Sequence, residues 1–64
     1  MTTTMKYIPV EQVTEGMVNS MGQEIVGVKH TAKQVHLTTI SAVDGKLLVE
    51  RESKGSQIVI TVRG

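Results

Sequence analysis

Four side chains able to carry positive charge crowd one short stretch, Lys29-His30-Thr31-Ala32-Lys33-Gln34-Val35-His36. Ammonium and imidazolium groups donate charge-assisted hydrogen bonds, so Lys29, His30 and Lys33 are candidate contacts for a nucleic-acid phosphate. The plainer reading, a solvated loop and hairpin face, is favoured, because phosphate-binding surfaces usually carry more arginine. His30 and His36 could meet across a hairpin as metal ligands. The sequence offers them no evident third ligand, and the chain has no Cys to supply one. The run Glu50-Arg51-Glu52 puts two carboxylates on one strand face about 7 Å apart. A paired-carboxylate hydrolase also needs a pocket and a sugar platform. A charged strand edge that resists mispairing is the simpler account of this run.

The remaining reactive types are weaker still. Ser20, Ser41, Ser53 and Ser56 all fall near turn signals, with no histidine placed to activate them. Asp44 precedes Gly45 and reads as a turn residue. Lys54-Gly55-Ser56 lacks the spacing of a phosphate-binding loop and the helix that should follow. Catalysis needs convergent groups in a preorganised site. The expectation is therefore a protein without enzymatic activity, cofactor, bound metal or small-molecule substrate.

The elements that must position these residues are short strands. Tyr7 to Val10, Met17-Val18, Glu24 to Lys29, Val35 to Ile40, Leu47 to Glu52 and Gln57 to Arg63 are β-type runs. They alternate with turn signals at Glu15-Gly16, Met21 to Gln23, His30 to Gln34, Asp44-Gly45 and Ser53 to Ser56. Pro9 lacks an N–H and belongs at a sheet edge. Val10 and Val13, followed by Gly16, suggest one helical or 3-10 turn ended by a glycine at positive φ. Gly27 interrupts the third run. A β-bulge there would return Ile25 and Val28 to one face. Asp44-Gly45 is the strongest hairpin signal. The predicted core is Val10, Val13, Val18, Ile25, Val28, Val35, Leu37, Leu47, Val49, Ile58, Ile60 and Val62.

Sixty-four residues allow one domain, read as a flexible terminus over residues 1–6 and a single small β-barrel over 7–64. With no Phe, no Trp and one Tyr, the core must be aliphatic. Such a small core leaves modest stability, and self-association is one way to add buried surface. Seven basic residues against six acidic ones produce no field to steer the chain towards a polyanion or lipid. No apolar run is long enough for a membrane span or a signal peptide, and the lack of Cys suits a reducing compartment. The expectation is cytoplasmic.

The layout resembles the SH3-like small β-barrels of bacteria and bacteriophages. The residues that carry this are Val13-Thr14-Glu15-Gly16-Met17-Val18, then Gly22, Ile25 and Val28, then Val35-His36-Leu37-Thr38-Thr39, and Val59-Ile60-Thr61-Val62. The resemblance implies an all-β antiparallel barrel of five to six strands with at most one short helical turn. It also implies an interaction module, of the kind small phage accessory proteins supply in a host cytoplasm. The aromatic groove of peptide-binding SH3 domains is missing apart from Tyr7.

Apolar residues beyond the predicted core suggest how such a module would work. Val26, Ile40, Leu48 and Val59 fall opposite the inner set of their strands, and a bulge accounts for Val26. Ile40, Leu48 and Val59 are then the candidate interface for a protein partner or a second copy of the chain. Nucleic-acid binding through Lys29, His30 and Lys33, with Lys54 or Arg63, is the alternative.

Overall fold

The computed structural model describes residues 3–63, with the Arg63 side chain outside that description. The elements are β1 (Thr3–Pro9), a 3-10 turn (Val10–Gln12), β2 (Val18–Asn19), β3 (Glu24–His30), β4 (Gln34–Ile40), β5 (Leu47–Ser53) and β6 (Gln57–Arg63). All pairings are antiparallel, in one sheet of order β1-β6-β2-β3-β4-β5. The fold is thus all-β, and the expected single helical turn is the 3-10 turn. The expected barrel does not close. β1 and β5 are the two edges, and no ladder joins them.

The terminus read as flexible over residues 1–6 begins its strand at Thr3. Thr3–Lys6 pair with Ile60–Arg63, and the ladder runs on to Pro9 opposite Gln57. Met1, Thr2 and Gly64 lie outside the described residues. Pro9 ends the edge strand, where its missing N–H removes no ladder bond on the interior side. The backbone of Val10 then donates to Ser56 O at 2.9 Å, and the Gly55 N–H donates to both Glu11 carboxylate oxygens at 3.2 and 3.3 Å. These bonds fasten the 3-10 turn to the turn between β5 and β6.

The bulge at Val26 is present. Ile25 lies opposite Thr39, Gly27 opposite Thr38 and Val28 opposite Leu37. One extra residue therefore keeps Ile25 and Val28 on the same face as Val35, Leu37 and Thr39. Gly27 lets β4 come close: a Cβ there would lie 3.3 Å from Thr38 Cβ. The core consists of Ile8, Val10, Val13, Ile25, Val35, Leu37 and Ile60, with Met17, Val28 and Ile58 packed against it. Thr39 is the one buried polar residue of that face among those described, and its hydroxyl donates to Leu48 O at 3.4 Å.

Four predicted core residues are not in it. Val18 is half-buried, opposite Glu24 and Thr61 and away from the core face. Leu47 and Val49 are exposed, because β5 pairs with β4 in a register that turns them outwards: Ile40 faces Leu47 and Thr38 faces Val49. Val62 is exposed opposite Thr4, past the point where β2 ends its pairing at Thr61. Ile8, read only as part of an extended lead, takes a core position opposite Ile58.

Candidate functional site

β4 settles which way β5 faces. Val35, Leu37 and Thr39 are buried, and the residues opposite them are Glu52, Glu50 and Leu48. The core side of β5 therefore carries two carboxylates and one leucine. Its outer side carries Leu47, Val49, Arg51 and Ser53.

The backbone of β5 has the same alternation. Ser41 N–H donates to Lys46 O at 2.9 Å, and Lys54 N–H donates to Lys33 O at 3.0 Å. The register between these two bonds is unbroken. The even-numbered residues from Lys46 to Lys54 consequently bond to β4, while Leu47, Val49 and Arg51 direct their N–H and C=O groups into solvent; the Ser53 carbonyl accepts from Ser56 N–H at 3.1 Å. Leu47, Leu48 and Val49 are 64%, 52% and 55% exposed. An unpaired strand with consecutive exposed aliphatic residues is a template for another strand. On the outer face, Leu47 and Val49 join half-buried Ile40 in one apolar strip, and Val43 projects from the adjoining loop.

The three residues named as an interface do not form one patch. Ile40 is on the outer face, and Leu48 is on the core side opposite Thr39. Val59 is half-buried opposite Tyr7, on the side of β6 away from Ile58 and Ile60. Leu47 and Val49 were concealed by their assignment to the core. The signal that finds them is hairpin parity. A loop of two or four residues after β4 puts even-numbered β5 residues opposite Val35, Leu37 and Thr39.

The basic residues also separate by face. Lys29 pairs with His36 on the outer side, while His30 pairs with Val35 on the core side. Lys33 lies in the intervening turn. Lys29, His30 and Lys33 thus do not converge, and neither do His30 and His36. The His36 ring instead lies 3.4 Å from Gln34 Oε1. A different row does form. His36 stands between Lys29 and Arg51 on the outer face of three adjacent strands. The one carboxylate that β3, β4 and β5 place on that face is Glu24, at the far end opposite Ile40. The Arg63 side chain, considered with this group, lies outside the described residues.

A groove of about 200 Å³ opens between β5 and β6, which are joined by a tight turn but share no ladder. Ile25, Leu37 and Thr39 form its buried floor, and half-buried Glu50 and Glu52 line one side. Asn19 borders the other side. Its Oδ1 accepts from the N–H groups of Met21 and Gln23, both at 2.9 Å, and its carbonyl accepts from Thr61 Oγ1 at 2.9 Å. No group of three or more metal-ligating side chains occurs among the described residues. None of these residues forms a helix long and apolar enough to cross a membrane. Comparison with known proteins finds no matching family, no similar curated protein and no similar solved structure.

Proposed function

We propose that this protein is a non-enzymatic interaction module that contacts another protein through the free edge of β5. The observation that carries this reading is the coincidence on β5 of outward-directed backbone groups with exposed Leu47, Leu48 and Val49. Backbone bonds to an added strand supply affinity, and alternate side chains supply choice of partner. The near-neutral charge of the chain suits recognition by shape and apolar contact.

A second reading, nucleic-acid binding, is favoured by the row Lys29, His36 and Arg51. Lys29 and Arg51 flank His36 there, and two cationic side chains on one sheet face offer charged donors to a phosphate.

One pair of variants separates the two. Val49→Lys places a charge at the apolar edge, and Arg51→Ser with Lys29→Ser empties the row. Capture of a protein partner that is lost in Val49→Lys and kept in the double variant supports the first reading. Anisotropy titration of a labelled oligonucleotide tests the second. Binding tighter than about 10⁻⁶ M with a steep salt slope, lost in the double variant, would overturn the first reading in its favour.

A further inference from the structure

Resting on the reading of β5 as the interaction edge, we infer that its partner is a second copy of this chain, paired antiparallel about a twofold axis through Val49. Two edges related by an axis perpendicular to the sheet must oppose residues of equal parity. Three central registers then deserve comparison, centred on Leu48, Val49 or Glu50.

Charge distinguishes them. Centring on Glu50 sets that carboxylate against its own copy and Lys46 against Lys54. Centring on Leu48 brings Lys46 to Glu50 but turns Glu52 towards the loop that holds Asp44. Centring on Val49 sets Lys46 opposite Glu52 and turns Lys54 towards the loop that holds Asp44, each twice by symmetry. It also sets Val49 against Val49. The backbone permits each of these registers, because equal parity always brings the free N–H and C=O groups of Leu47, Val49 and Arg51 to face their copies, so charge makes the choice. Val49 bonds its own copy, and Leu47 bonds Arg51 of the second copy.

The side chains continue the pattern of each face. On the outer face the strip of Ile40, Leu47 and Val49 meets its symmetry copy across the axis and becomes a single apolar band. On the core side Leu48 lies opposite Glu50 of the second copy, where its exposed methyl groups cover the stem of that side chain. The opposite edge is a poorer partner. β1 ends in Pro9, and a β5-to-β1 contact would be heterologous and would propagate without closing.

Because the chain has no cysteine, single engineered cysteines report the register directly. Cα atoms in a bonded antiparallel pair lie about 5.5 Å apart, within the range a disulfide spans. Val49→Cys should form a covalent dimer under mild oxidation. Leu48→Cys and Glu50→Cys should each form no covalent dimer alone and should cross-link when the two proteins are mixed. Lys46→Glu and Glu52→Lys should each weaken dimerisation by roughly tenfold in sedimentation equilibrium, and the combined charge swap should restore it. Thermal melts at low protein concentration check that the variants remain folded.

Self-cross-linking at Leu48 or Glu50, or charge variants without effect, would overturn this register. A protein that stays monomeric at high micromolar concentration would overturn the second copy as the partner. Loss of a heterologous partner in Val49→Lys would then still identify β5 as the contact edge. Failure of that too would remove the underlying reading.

Discussion

β4 and β5 are the two strands of one hairpin, paired rung for rung, and the chain treats them in opposite ways. β4 reads Gln-Val-His-Leu-Thr-Thr-Ile and buries Val35, Leu37 and Thr39. β5 reads Leu-Leu-Val-Glu-Arg-Glu-Ser, opens with three consecutive aliphatic residues and buries none of its residues fully. By hydrophobicity alone β5 has the stronger claim to the core. Position decides otherwise. β4 has a neighbour on each side and has core residues of β3 and β6 on its inner face. β5 has one neighbour, and the residues it turns inwards are mainly glutamates. Exposure of Leu47 and Val49 is therefore set by pairing, and it places apolar surface on a strand that can still accept another.

The strongest way to break this contrast is to truncate one leucine on each strand. Leu37→Ala removes buried methyl groups from the floor of the groove and should cost about 2–5 kcal/mol, a large part of what a domain of this size has. Leu48→Ala, two rungs from Leu37 and on the edge strand, should cost well under half of that. Urea denaturation at low protein concentration measures both. Equal losses would show that β5 is packed within the monomer and would remove the basis for a free edge.

The hairpin at the other end of β3 sharpens the comparison through its turn chemistry. Asn19 holds the turn from β2 to β3 with its side chain: Oδ1 accepts two backbone N–H groups and Nδ2 donates to Gln23 Oε1 at 3.0 Å. The loop from β4 to β5 has an exposed counterpart, in which Asp44 Oδ1 accepts from Lys46 N–H at 3.0 Å. Asn19→Ala leaves the partly buried Gln23 N–H and the exposed Met21 N–H without their partner and should cost about 1–3 kcal/mol. Asp44→Ala leaves its donor to water and should cost about 0.5 kcal/mol or less. Chemical denaturation of the two variants side by side checks the ratio, and a larger loss for Asp44→Ala would reverse the assignment of the rigid and open ends.

Much of this arrangement was legible in the residues themselves. Gly27 within an apolar run marked the bulge that keeps Ile25 and Val28 together, because a strand whose period breaks by one residue must regain it to bury both. Gly16 and Gly22 marked turns at positive φ, and both adopt it, at 95° and 81°. Pro9 marked an edge. What could not be read was closure. The barrel expected from the pattern of runs depends on whether the last hairpin strand reaches the first, and nothing local encodes that distance. The face of β5 was a different failure. Leu47 and Val49 outweighed Leu48 in a count of apolar residues, although the parity of the preceding hairpin already pointed Leu48, Glu50 and Glu52 inwards. The interface residues followed the same error, which is why Ile40 and Leu48 ended on opposite faces.

The smallest predicted effect tests that parity most directly. Leu47→Thr introduces a β-branched residue suited to a strand while removing apolar surface. On the outer face of an edge strand it exchanges one solvent-exposed group for another, so monomer stability should change by no more than about 0.5 kcal/mol in either direction. The same substitution takes an aliphatic group from the strip formed with Ile40 and Val49. Association should therefore weaken even though the fold does not. Denaturation at low concentration gives the first quantity and sedimentation at high concentration gives the second. A loss of more than about 1.5 kcal/mol in the monomer would mean that Leu47 faces the core, that the register of β5 is shifted by one residue, and that Glu50 and Glu52 point to solvent instead of the groove.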